Sequence, residues 1–229
     1  MNLGDQLEKK LKFFKIPNLI FIIISVSAFV FVFDHISFLQ TKEFFLRNLL
    51  EFRKDLILKG QFWRVLTFVF IPFSTHRVFF AAIEGYFLYF LGTSLEVSVG
   101  ERRFSLFYIF GVIFSILVGF ITGYTHIKFL NMTLFFAFAT INPNMSMLLF
   151  FIIPVKTFWL AIIDAGYFIY NLILSLIFKD YSSFLNAIFA IINFLIFFGP
   201  RFFMDIFYQF KNFQQKTKRM YKNGNYWGS

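Results

Sequence analysis

Four polar side chains stand inside stretches that are otherwise apolar: Glu84, Asn131, Asp164 and Asn193. An ionisable group within hydrocarbon is costly unless it is paired, hydrated or neutral, so such positions are candidates for transport, proton movement or segment binding. Counted along their helices, Glu84 falls about 10 Å below one membrane boundary and Asp164 about 12 Å from the other. The four could line one water-filled cavity, or each could be satisfied by a nearby backbone carbonyl or hydroxyl. A second chemistry needs a hydroxyl nucleophile with a base in reach, because a serine or threonine attacks poorly until its proton is taken. The bases on offer are His35, His76 and His126. Thr133 follows His126 by seven residues, a spacing at which two side chains share a helix face. There is no Cys, which excludes disulfides and thiolate metal sites; no metal or cofactor is expected.

The elements that must position these residues are membrane spans. The chain of 229 residues is 59% hydrophobic and carries 42 Phe, more apolar surface than a soluble domain of this length could cover. The pattern predicts spans over 17–33, 77–95, 104–122, 128–141, 157–178 and 184–198. Pro17 opens the first, Asp34-His35 stop it, and Gly199-Pro200 end the last. The fourth is short: fourteen residues make about 21 Å of helix against about 30 Å of hydrocarbon. Bearing Asn131, Thr133 and Thr140, it belongs inside a bundle and not against lipid. The third carries a ladder of small residues, Gly111, Ser115, Gly119 and Gly123, which lets another helix approach closely.

Between the first two spans, residues 34–64 form an interfacial loop. Within it Phe45, Leu49, Phe52 and Leu56 recur at helical spacing from Lys42 to Lys59 and predict one short amphipathic helix, closed by Gly60. Residues 1–16 read as an amphipathic segment on the membrane surface, and residues 200–229 as a basic tail. Asn142-Pro143-Asn144 marks a turn, and Met145 to Val155 an extended or interfacial piece. With six spans and an inner N-terminus, the inner segments hold 13 Lys/Arg and the outer ones nine. That bias places both termini in the cytoplasm, here of a bacterial plasma membrane. The net charge of +10 suits an anionic lipid surface; the bilayer is the expected partner, and nucleic acid is not.

Trp63-Arg64, Gly92, Glu96 and Gly100 resemble the rhomboid superfamily, which carries a Trp-Arg before its second span and a Gly, Glu, Gly series at the end of that span. The resemblance implies an all-α membrane protein with a rhomboid-like six-transmembrane-helix bundle. It also implies where catalysis should sit: a Gly-x-Ser-Gly opening the fourth helix and a His in the sixth. Here the fourth helix opens with HIKFLNMT (126–133), and the sixth span has Asn186 and Asn193 but no His. Glu84 falls about where the family has an oxyanion-binding Asn, and a carboxylate there would repel an oxyanion. His76 lies near the family's His-bearing loop. From Thr133 to Leu160 the chain is similar to the derlins and other inactive members, with Asn142-Pro143 followed by an apolar stretch.

The expected function is therefore non-catalytic: an integral membrane protein that binds or handles transmembrane segments of client proteins. Two alternatives stand beside it. One is an intramembrane serine-type endopeptidase using Thr133 with His126. The other is a small transporter using Glu84 and Asp164.

Overall fold

A backbone in hydrocarbon must satisfy its own hydrogen bonds, and the apolar runs do so as helices. The computed structural model describes residues 3–11, 14–71, 78–149 and 153–224. The helices are α1 (Leu3–Lys10), α2 (Leu19–Thr41), α3 (Phe45–Leu50), α4 (Lys54–Ile57), α5 (Arg64–Thr67), α6 (Val78–Val99), α7 (Glu101–Thr122), α8 (Lys128–Ile141), α9 (Thr157–Ile177) and α10 (Tyr181–Gly224). Two small antiparallel ladders join them. β1 (Phe52–Arg53) pairs with β2 (Tyr124–Thr125), and β3 (Ser146–Leu149) with β4 (Ile153–Lys156). Among the described residues α2, α6, α7, α9 and the Tyr181–Met204 part of α10 are long and apolar enough to cross a membrane. The chain is an all-α, multi-pass membrane protein.

The short α8 packs against α6, α7, α9 and α10. Its Leu134, Ala137 and Phe138 are completely buried. Of its polar residues Thr133 and Thr140 are buried as well, and Asn131 is partly buried. The main core runs from α2 across α6, α8 and α7 to α10, through Ile20, Leu91, Leu134, Phe107 and Phe197.

Several predicted boundaries move, each for a local reason. The first span does not stop at Asp34-His35; α2 continues to Thr41. Asp34 is buried, and its two carboxylate oxygens accept the Leu46 and Arg47 N–H groups at 2.6 and 2.9 Å. Those are donors that the first turn of α3 cannot satisfy within the helix. The single helix expected over Lys42 to Lys59 is broken at Glu51, where the chain turns so that Phe52 enters the core between Phe68 and Phe120. The sixth span does not end at Gly199-Pro200, since α10 runs through Pro200 to Gly224. Proline removes one helix donor there, and the Arg103 guanidinium donates to the neighbouring Phe197 carbonyl at 2.5 Å. Nor does the N-terminal segment simply lie on lipid: Asp5 of α1 pairs with Arg103 of α7 at 2.9 Å, and Lys15 with Glu101. In the extended piece after the Asn142-Pro143-Asn144 turn, Ser146–Leu149 pairs with Ile153–Lys156 as the β3–β4 ladder, and 150–152 lie outside the described residues.

Candidate functional site

The residues of the Trp-Arg series act on one helix end. An α-helix leaves its last carbonyls without partners. At the end of α3 four consecutive carbonyls, of Asn48, Leu49, Leu50 and the C-cap Glu51, each receive a side-chain donor. Arg64 Nη1 donates to Asn48 and Glu51 at 2.8 and 2.9 Å, Trp63 Nε1 to Leu49 at 3.2 Å, and Thr67 Oγ1 to Leu50 at 3.0 Å. Arg64 is itself buried, with Nε bonded to Gln61 Oε1 at 2.6 Å, and its cation meets the negative end of the helix dipole. These residues set the shape of the interfacial loop.

Gly92, Glu96 and Gly100 organise the α2–α6–α7 corner. A Cβ on Gly92 would collide with Ile20 of α2. One turn on, the buried Glu96 accepts the Asn18 N–H at 2.9 Å at the start of α2. Gly100 opens α7 with φ +86, a conformation that strains any residue with a Cβ. In the small-residue ladder, Gly111 makes room for Leu130 of α8 and Gly119 for the Phe52 ring, while Ser115 is buried. Gly123 is not a packing position: it ends α7 at φ +95 with open space where a Cβ would stand. The ladder admits side chains and not a helix backbone.

The four intramembrane polar residues do not share one cavity. Asn131 and Asn193 converge on consecutive residues of α7: Tyr108 Oη donates to Asn131 Oδ1 at 3.3 Å, and Asn193 Nδ2 to the Phe107 carbonyl at 2.9 Å. Glu84 lines a separate cavity of about 350 Å³ between α2 and α6, with Ser27, Phe31 and Tyr86. Asp164 lies on α9, its Oδ2 buried and without a hydrogen-bond partner among the described residues. The helix phases decide this, because α6 turns Glu84 towards α2 while α8 turns Asn131 towards α7.

Nor does His126 meet Thr133. The Thr133 hydroxyl, fully buried, donates to the Leu130 carbonyl of its own helix at 2.7 Å. His126 lies ahead of α8, and its Nε2 is 3.0 Å from Ser183 Oγ in the first turn of α10. Around this pair the β2 segment is strapped to α10. Ser182 Oγ donates to the Tyr124 carbonyl at 2.6 Å and Thr125 Oγ1 to Asn186 Oδ1 at 3.0 Å. Asp180 Oδ1 accepts the Ser183 N–H at 3.1 Å and so caps the helix. Burial pushes the His126 imidazole below its ordinary value of 6.5; Asp180 opposes the shift and Lys128 adds to it. Ser183 also lines a pocket of about 150 Å³ with Lys128, Phe129, Asn171 and Asp180, in which Lys128 Nζ donates to Asn171 Oδ1 at 2.7 Å. Ser183 carries no sequence signal beyond an Asp-x-x-Ser helix start, and its partner is 57 residues away. His35 stacks on Phe31, while His76 lies outside the described residues.

Further along the same helices, α9 stands off from α8 and α10. Between them lies an apolar cavity of about 480 Å³, lined among others by Phe136, Thr140, Phe158, Ala165, Phe168 and Phe194. Phe168 packs against both Phe129 and Phe136, so it divides this cavity from the small polar pocket at the Ser183 end. Among the described residues no group of three or more His, Cys, Asp or Glu could hold a metal ion. No family model, no curated protein and no solved structure matches this chain.

Proposed function

We propose that this chain is a rhomboid-like, six-helix membrane protein without the family's catalytic motif, and that it holds transmembrane segments of other membrane proteins in the crevice between α9 and the α8–α10 pair. Both termini lie on the cytoplasmic side of a bacterial plasma membrane in this reading. The observation that carries it is the crevice itself. Its walls are almost wholly apolar, it takes about 480 Å³, and only 11% of the apolar stretch of α9 is buried. A volume of this order accepts a few large side chains and not a whole helix, so a client helix would lie along α9 and anchor by its bulky residues. The Trp63, Arg64, Gly92, Glu96 and Gly100 arrangement supports the family resemblance.

Site-specific photo-crosslinking tests it. A benzophenone side chain at Ile162, beside the crevice, is expected to capture single-span proteins in membranes. The same group at Val97, exposed on α6, is the control. Filling the crevice with Ala165→Trp should abolish capture from Ile162. Equal capture from both positions, or capture that persists in the filled variant, would sink the proposal.

A further inference from the structure

We propose that Ser183 is an acyl-accepting nucleophile, with His126 as its base and Lys128 as its electrophilic partner, acting on a short carboxylic ester at the membrane–water boundary. This goes beyond the segment-holding reading and does not depend on it.

Four observations lead here. First, Ser183 Oγ and His126 Nε2 stand 3.0 Å apart, within the reach a base needs for the proton it removes. Second, Ser183 sits in the first turn of a 44-residue helix, where the dipole favours developing negative charge. Third, Ser183 opens into a pocket of its own. About 150 Å³ holds roughly five waters, enough for a short acyl group and not for a polypeptide helix. Fourth, the Lys128 ammonium lines that pocket and is held in place by Asn171 Oδ1 and by the Tyr167 and Phe129 rings, 5.3 and 5.8 Å away. A fixed cation there can stabilise an oxyanion.

The imidazole is also kept ready as a base. Burial holds it neutral at pH 7, and the Asp180 carboxylate favours the imidazolium once a proton arrives. In this arrangement Nδ1 carries the ring hydrogen. That nitrogen has no partner among the described residues, but the ring borders a second, more polar cavity of about 240 Å³ shared with Glu51 and Tyr124.

The reaction balances without a further reagent. As Ser183 Oγ bonds to the acyl carbon, its proton passes to His126 Nε2. As the ester C–O bond breaks, His126 gives that proton to the leaving alkoxide oxygen, releasing an alcohol. Water then attacks the acyl-serine: His126 takes a water proton, the hydroxyl oxygen bonds to the acyl carbon, and Ser183 Oγ leaves with the proton, releasing a carboxylic acid.

The test uses the full chain in detergent and a fluorophosphonate probe, which forms a stable bond only with activated hydroxyls. The expected result is near-stoichiometric labelling of the peptide that contains Ser183. Labelling should be lost in Ser183→Ala, reduced about a hundredfold in His126→Gln, and unchanged in Thr133→Ala. Because the chain has no Cys, Ser183→Cys provides a second readout. Its iodoacetamide reactivity near pH 7 should exceed that of a Cys placed at exposed Val97, and the excess should vanish when His126→Gln is added. The proposal is overturned if the folded wild-type protein takes no probe while an active serine hydrolase beside it is labelled. Labelling that survives Ser183→Ala, or a Ser183→Cys thiol no faster than the control, overturns it as well. Crosslinking from Ile162 in Ser183→Ala is scored in parallel, so the nucleophile and the crevice fail or stand separately.

Discussion

α7 and α9 are near equals in length, 22 and 21 residues, and both are apolar enough to cross a membrane. They are embedded very differently. Half of the apolar stretch of α7 is buried against other parts of the chain, but only 11% of that of α9. The cause is side-chain size along one face. In α7, Gly111 and Gly119 leave hollows that Leu130 and Phe52 fill, and the packing is close. In α9, Gly166 faces open space, and Trp159, Ile163, Tyr167 and Tyr170 are exposed to whatever surrounds the protein. In lipid, apolar burial does not drive helices together; close packing and polar contacts do. α7 has both, whereas α9 is held at few points, chiefly Thr157, Phe168 and Ser175. A helix tethered in that way is the one best able to make room for another.

The first way to break this comparison is to loosen the loop that carries Phe52 into the hollow at Gly119 of α7. Arg64→Leu leaves carbonyls at the end of α3 buried without donors, which costs on the order of 3 kcal/mol. A fall in thermal midpoint in detergent is the expected outcome, and Arg64→Lys should recover only part of it because it lacks the planar fork. The next is a matched pair. Gly119→Ala drives a methyl into the Phe52 ring and should cost about 1–3 kcal/mol by overpacking. Gly166→Ala, in the open, should be neutral or stabilising by up to about 1 kcal/mol through helix propensity. Equal effects at the two glycines would show that α9 is packed as closely as α7.

The smallest effect is a pH dependence of the strap beside α10. The His126 pKa is lowered in the folded protein, so as pH falls through about 6.5 the unfolded chain takes up the proton first. Stability is therefore unaffected above that range, declines below it, and levels off once the folded protein is protonated too. Thermal midpoints measured from pH 8 to 5 should show this decline in the wild type, and His126→Gln should flatten it.

The spans were the legible part of the sequence. Apolar runs bounded by Pro, Gly or charge give α8 and α9 nearly to the residue, and α6 apart from its last turn, which runs on past 95 to Val99, because in hydrocarbon the backbone has few choices. What escaped the sequence was decided by distant partners. Asp34 looks like a stop signal until Leu46 and Arg47 present their amides to it. Phe52 keeps helical register with Phe45 and Leu49, but Gly119 offers it a better place. In the site, Trp63-Arg64 stands out in the sequence as a pair, but the three carbonyls it serves, of Asn48, Leu49 and Glu51, do not. The seven-residue spacing pairs His126 with Thr133, whereas in the fold its Nε2 stands beside Ser183 Oγ. Thr133 is close in sequence but turns its hydroxyl back onto its own helix, while Ser183 reaches His126 only because β2 is pinned to α10.

Arg103 joins parts of the chain that are far apart in order. One of its nitrogens holds Asp5 and another the Phe197 carbonyl, three residues before Pro200. Helix α1 and the proline-containing stretch of the last helix are therefore mechanically in series. Trimming residues 1–10 would free one side of the Arg103 guanidinium, and the slack would be felt nearly two hundred residues downstream, as faster amide exchange around Pro200.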